Sequence, residues 1–506
     1  MIRITLFLIA VAILNGSFAQ TPTLTIGEEM RFGHASLSRF IGFWGEVGGS
    51  YFYATSDKKG WSVYKADKNL VLQKKVDFQN FVVGKSELNP DDITESKGIS
   101  ERSESIVWGS KVLFVFSIHQ EKPKKSTFYV SVLDLETLAQ PAAPVEVYSQ
   151  TSDGRYSPFV LTNTKEVVLF IKSSSKGGWN EIRLDSDLKK GNTRKISFEM
   201  IDYGAPRYLT EDGALIWVVR KCTKEHYSTK VCEGSLSVVH MGPNDAEPRV
   251  IQELSDKVYK GCESLLDGST LYLAGVYGDQ LSGPATGSFV ARYVLGEAAL
   301  TVDYRAFTAD KNTYPGSDED PEGKNPAELG YDDYKTFDIL KGSDGNVYAL
   351  HQMYSNYMAT RTTNGVMMDV RVDGYGDVMI TRASASGKIE WNSRTPLYQS
   401  SSYSRGFGAS LFSNSEGVYV ILNDNPKAVA ETNLKGMGYM KRTPDKGDMA
   451  LYAIRIGDDG SFKHHVLSDY SGKVKYAVNP RAPFRTSNGT LLPILENTIY
   501  YPALVR

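Results

Sequence analysis

Two segments of the chain gather methionine and tyrosine at a density suited to making contacts. Residues 353–379 contain Met353, Tyr354, Tyr357, Met358, Met367, Met368, Tyr375 and Met379, and residues 424–449 contain Met437, Tyr439, Met440 and Met449 amid glycines. Flexible thioethers and amphipathic rings adapt to irregular partners, so both residue types suit protein contact surfaces. The competing expectation is that these segments fold back and bury the same side chains, because exposed apolar patches are uncommon on monomers. On the first reading Met353, Tyr354, Tyr357, Met358, Met367, Met368, Met437, Tyr439 and Met440 carry partner binding.

A second cluster is acidic. The stretch 308–323 holds Asp310, Asp318, Glu319, Asp320 and Glu322, the hard oxygen ligands that calcium takes. Asp310, Asp318, Asp320 and Glu322 are the candidate ligands. Their spacing departs from the EF-hand loop, and Pro315 and Pro321 among several charges equally describe a solvated loop. Calcium therefore stands as an alternative to no cofactor.

Catalytic patterns are absent from the sequence. There is no GxSxG elbow and no HExxH, and the seven histidines have no helical metal-ligand spacing. His464 and His465 are adjacent on an expected strand, so they face opposite sides and cannot share one metal. His351 follows Tyr348-Ala349-Leu350 on an inner strand, where it either lines a channel or is a satisfied structural histidine. The stretch Ser56–Trp61 echoes the sialidase box only distantly and reads as a turn. No residue is assigned a catalytic role. Carboxylates are too many for a glycosidase pair to be read from sequence.

Of the three cysteines, Cys222 and Cys232 bracket a short segment and would sit on opposing hairpin arms, which suggests a disulfide in an oxidising compartment. Two unpaired thiols flanking a loop is the other reading. Cys262, just before an expected strand, reads as a small buried apolar residue. The first residues have the form of a secretory signal: Arg3, an apolar stretch from Leu6 to Leu14, and a small-x-small site at Ser17-Phe18-Ala19. Cleavage after Ala19 leaves a chain with no later stretch long enough for a transmembrane helix and no cysteine placed for a lipid. A soluble periplasmic or secreted product is expected. With a formal net charge of -2 there is no basic surplus to neutralise phosphates, so nucleic acid is a poor partner.

What must position these residues is a recurring unit. Eight times a small polar turn, usually containing glycine, leads into β-branched and aromatic residues: at 48–54, 108–116, 163–171, 211–219, 267–275, 343–350, 415–422 and 487–495. With 30 tyrosines and 45 glycines and no linker, the pattern predicts one all-β domain over 20–506, a β-propeller of eight four-stranded blades. Seven blades is the alternative if the weak unit at 155–200 is read differently. The last unit has three strands, and Thr23–Ile26 alternates correctly to supply the fourth and close the ring. Long connections fall at 79–102 and 308–333 and at 220–232, 277–287, 354–374 and 424–447. Antiparallel alternation places all of them on one face, where scaffold-held loops commonly bind.

The signal, the single long propeller and strand openings such as Ser343-Asp344-Gly345-Asn346-Val347-Tyr348 resemble exported propellers of Gram-negative envelopes. The overall format also resembles the periplasmic plug subunit that occludes the outer-membrane translocon of type nine secretion. That resemblance implies a non-enzymatic accessory protein docking through its long-loop face onto an envelope protein. The alternative is a secreted carbohydrate-active propeller, a glycoside hydrolase or a lectin.

Overall fold

The computed structural model describes residues 22–506 apart from 29, 32–38, 58–59, 80, 84–85, 89–98, 121–123, 140–142, 152–157, 174–177, 197–205, 221–233, 281–282, 308–333, 364–365, 396, 398, 402–407, 425–449, 469–477, 481–482, 488 and 497–498. Among the described residues every regular element is a strand. The strands pair in sequence order into antiparallel sheets. The first is Arg39–Val47, Ser50–Asp57, Gly60–Ala66 and Leu72–Gln79; the second Ile99–Trp108, Lys111–Gln120, Lys125–Asp134 and Val145–Thr151. The stretch at 155–200, the weakest by sequence, forms a full four-stranded sheet from Phe159–Thr162, Val167–Lys172, Trp179–Leu184 and Lys190–Ile196. Two later four-stranded groups begin at Tyr334–Lys341 and Ala409–Asn414.

Burial within each sheet follows strand position. In Lys111–Gln120 the run Val112–His119 is buried on both faces, whereas four of the seven residues of Lys190–Ile196 in succession are exposed. Second strands are covered by the sheets on either side, and fourth strands form the rim. Trp44, Trp61 and Phe78 of the first sheet interlock with Phe114 of the second, Trp61 lying 4.4 Å from Phe78 and 4.7 Å from Phe114 between ring centres. Each such ring contributes about 1.5–3 kcal/mol by leaving water. A comparable cluster joins Leu113, Val115 and Phe128 to Val167, Leu169 and Ile171 of the third sheet.

At one end of the sheets the strands are joined by a repeated turn. Six times residue i+3 donates its N–H to the carbonyl of residue i, while residue i donates to the carbonyl of i+4. The instances begin at Asp67, Asp185, Thr210, Gly342, Ser384 and Gly457. The geometry requires a left-handed fourth residue, and Gly213, Gly345, Gly387 and Gly460 supply it with φ between 80° and 87°. In two turns a leucine takes the place, Leu70 at φ 64° and Leu188 at φ 60°. Both leucine turns open on an aspartate whose Oδ1 accepts two further backbone N–H groups, Asn69 and Val71 for Asp67, Asp187 and Lys189 for Asp185. These extra bonds offset the steric cost of a Cβ in that region.

Three findings refine the sequence reading. Where a new unit was expected to begin at Glu263, the strand Arg249–Asp267 runs unbroken for 19 residues and fuses two four-stranded groups into one seven-stranded sheet, so Cys262 lies inside a strand. The connection expected at 354–374 is a ribbon of two long strands, Val347–Thr363 and Val366–Ala383. Leu24–Ile26 pairs antiparallel with Ile499–Val505, Leu24 opposite Val505, and so adds a fourth strand to Phe484–Thr486, Gly489–Glu496 and Ile499–Val505. This last sheet also packs on the first: Phe43 and Phe484 are 6.1 Å apart, and Ser487 donates its N–H to Glu46 at 2.9 Å.

Candidate functional site

The ribbon is the largest departure from the sheet pattern. Within the body, Val347–Met353 pairs with Tyr334–Lys341, and Val378–Ala383 pairs with Ile389–Thr395. Beyond those points the two long strands continue against each other for ten residue pairs, from Tyr354 opposite Tyr375 to Thr363 opposite Val366, an extension of about 30 Å at strand rise. Among the described residues its one further neighbour is Gln399–Ser401, which pairs with Asp373–Tyr375 near the base. Strand alternation places Thr360, Met367 and Asp369 on one face of the ribbon.

The base of the ribbon is anchored. Tyr375 is fully buried, Tyr354 lies 5.3 Å from it and 6.1 Å from Phe337, and the Lys335 ammonium sits 4.4 Å above the Tyr354 ring. Met353 packs with Tyr334, Met379 and Phe307 in a small core cluster. Farther out the described side chains are exposed: Thr360 bonds Asp369 at 2.9 Å, and Met367 is 74% exposed. Within the Met/Tyr segment, Tyr375 and Met379 are buried at the base and Met367 is exposed near the tip. Tyr357, Met358 and Met368 lie on the ribbon strands, their side chains outside the described residues. Met437, Tyr439 and Met440 lie outside as well, as do Asp310, Asp318, Asp320 and Glu322 of the acidic stretch and Cys222 and Cys232 of the expected disulfide. Among the described residues no three His, Cys, Asp or Glu side chains cluster as a metal site.

His351 does not line a channel. It is fully buried, its Nδ1 3.0 Å from Thr336 Oγ1 and its Nε2 2.9 Å from Thr381 Oγ1. Thr381 donates its hydroxyl proton to Asn392 Oδ1 at 2.8 Å, which also accepts from Ser288. A threonine hydroxyl therefore flanks each ring nitrogen, and the imidazole is satisfied on both sides. Burial pushes the imidazole down to about 3, which keeps it neutral. Cys262 is likewise structural, a buried thiol that desolvation pushes up to about 12.

Polar chemistry gathers on the first strands of the sheets. Arg485 on Phe484–Thr486 meets Asp338 of Tyr334–Lys341 at 2.5 Å, and the other Asp338 oxygen accepts the Leu411 N–H of Ala409–Asn414 at 2.8 Å, tying three sheets together. Arg207 pairs with Glu263 at 3.0 Å. A pocket of about 560 Å³ opens between Arg39–Val47, Ile99–Trp108 and the segment 484–487. Sequence reasoning missed this pocket, whose walls come from positions far apart in the chain.

No protein-family model matches the sequence, and no curated protein matches it. Solved structures with a similar fold include the polysaccharide lyase Uly1, at 9% identity and a TM-score of 0.40 over 95% of this chain and 99% of that one. They also include the β-propeller domain of the Trilobed protease from Pyrococcus furiosus, at 11% identity and 0.35 over 87% and 98%. The GH43 endo-arabinanase from Bacillus licheniformis aligns at 12% identity and 0.26 over 56% and 98%. The protein is all-β and built largely of four-stranded antiparallel sheets, and its structural neighbours are β-propeller proteins. These likenesses concern the fold alone.

Proposed function

We propose that the protein is a non-enzymatic binding propeller of the cell envelope that docks onto an outer-membrane protein through its long-loop face. Eight blades form the ring, the fused seven-stranded sheet counting as two, and the Leu24–Ile26 strand completes the last blade. The secretory signal is removed after Ala19 and the mature chain works in the periplasm. The occluded translocon of type nine secretion is the specific partner that the sequence resemblance suggests.

The observation that carries this reading is the ribbon. A two-stranded hairpin is marginal in water by itself, yet this one is extended ten pairs past the sheet that anchors it and presents a strongly exposed Met367. Such an element fits recognition by strand addition or by an apolar groove, with main-chain groups giving affinity and alternate side chains giving specificity. Calcium held by Asp310, Asp318, Asp320 and Glu322 and a Cys222–Cys232 bridge are compatible additions to the same face.

The test is affinity purification from detergent-solubilised envelopes, comparing the intact protein with a variant in which 358–371 is replaced by Asn-Gly. The exchange rejoins Tyr357 and Val372, which already face each other. A stoichiometric outer-membrane protein captured by the intact chain and lost in the variant is the expected result. Capture unaltered by the truncation sinks the docking role of the ribbon.

A further inference from the structure

The ribbon leaves the body at a break in both of its ladders. Gln352 faces Val378 and Tyr354 faces Tyr375, so Met353 alone opposes the two residues Gly376 and Asp377, a β-bulge. On the other side Val378 faces Thr395 and Tyr375 faces Gln399, so that ladder skips at the same place. A bulge bends its strand and raises the local twist, and this one falls between the last body pair and the first ribbon pair. It also needs a glycine: a Cβ on Gly376 would come within 2.6 Å of Met353 Sδ and 2.8 Å of Met353 Cβ.

What fills the break is polar, buried and bonded. Buried Asp377 accepts the Leu397 N–H at 3.0 Å with one carboxylate oxygen and the guanidinium of buried Arg394 with the other. Gln352, also buried, donates its side-chain amide to the Gly376 carbonyl at 3.2 Å. The Tyr354 and Tyr375 rings, 5.3 Å apart, brace the first ribbon pair beside it. A swing of the ribbon about this point would part buried groups from the partners that replaced water, and an ion pair separated in the interior is strongly unfavourable.

We propose that Gly376–Asp377 is a preset elbow that holds the ribbon in one direction relative to the body, with the Asp377–Arg394 pair as its lock. The inference concerns the ribbon alone and stands or falls without the docking reading. A pivoting ribbon of this length would carry its tip about 5 Å for a swing of about 10°, and a partner would have to arrest that motion on binding. A fixed ribbon has its direction already set. Double electron–electron resonance on the full chain, with no partner present, tests this. The nitroxides replace Met367 on the ribbon and Val466 on Phe462–Ser468, both exposed, through a bio-orthogonal amino acid that leaves the cysteines unlabelled. The intact elbow gives one narrow distance. Gly376→Ala, which drives the bulge against Met353, shifts or broadens it by about 5 Å. Asp377→Asn, which keeps an acceptor for Leu397 but cancels the charge facing Arg394, does the same. Gln352→Met, which removes the bond to the Gly376 carbonyl, takes the place of either variant that fails to fold in thermal melts. A broad distribution with the elbow intact overturns the proposal, as does a narrow distribution retained unchanged in the folded variants.

Discussion

The two ends of the sheets are built on opposite principles. At the turn end the same hydrogen-bonded turn recurs six times, its fourth residue always at positive φ between 60° and 87°, closing strands with few residues. At the other end one connection grows into a ribbon of ten extra pairs on which Thr360, Met367 and Asp369 are exposed. Ordering each residue costs about 1–2 kcal/mol of backbone entropy, which the body recovers by packing and the ribbon recovers in part through its own ladder. One end is specified by folding and the other is explained by what it meets.

Five variants press on that contrast. The largest effect is expected from the Asn-Gly replacement of 358–371: partner capture falls to background while the melting temperature stays within a degree or two, because no described body contact is removed. A body change does the reverse. Glu181, 1% exposed, is gripped by Arg183 at 2.6 Å and by Arg194, and these arginines reach on to the Gly213 and Asp245 carbonyls of the neighbouring sheet. Glu181→Ala takes the carboxylate from Arg194 and leaves Arg183 with Glu166, 2.7 Å away, and is expected to cost about 3 kcal/mol in urea melts, with capture retained by the molecules that remain folded.

The third effect is on pH dependence. His351 is held neutral with its ionisation depressed to about 3, so between there and its ordinary value near 6.5 the unfolded chain binds the extra proton. Stability from this site is complete above about pH 6.5 and is lost as pH falls, with a limiting slope of about 1.4 kcal/mol per unit. His351→Gln should flatten the fall in denaturant midpoint between pH 7 and pH 5; an unchanged slope removes His351 as its origin. The smallest effects belong to the turns. Gly345 has φ 80° and open space around its missing Cβ, so Gly345→Ala should cost only the left-handed strain, about 1–2 kcal/mol. Leu188→Gly relieves strain but adds chain entropy and removes a packed side chain, so its midpoint should shift by about 0.5 kcal/mol or less. A large loss in Leu188→Gly would mean that packing, not turn geometry, sets these positions.

Strand placement was legible because it rests on local signals. Turn residues and alternation locate Ala450–Ile456 to the residue and Phe462–Ser468 to within one. The unbroken strand Arg249–Asp267 defies the local signal, since Gly261, the one glycine or proline between Val250 and Glu263, sits inside the strand rather than in a turn. The ribbon had a signal that went unused: Asn364-Gly365 between alternating residues is the strongest short hairpin cue. His351 could be narrowed to buried or lining but not decided, since its partners Thr336 and Thr381 come from two other strands. The pocket was invisible for the same reason, with Glu46 and Ser487 separated by nearly the whole chain.

The pairing of Leu24–Ile26 with Ile499–Val505, flanked by reciprocal bonds between Thr23 and Arg506 at 3.0 Å, sets an order of events. The strand Leu24–Ile26 has its partner only after the hundreds of residues between the two have been made. Until then it is an unmatched edge, and the last sheet is one strand short. Contacts of such separation form slowly, so completion of this sheet should be a late step of folding. Until that step, the same exposed edges could take the matching strand of another copy instead of their own.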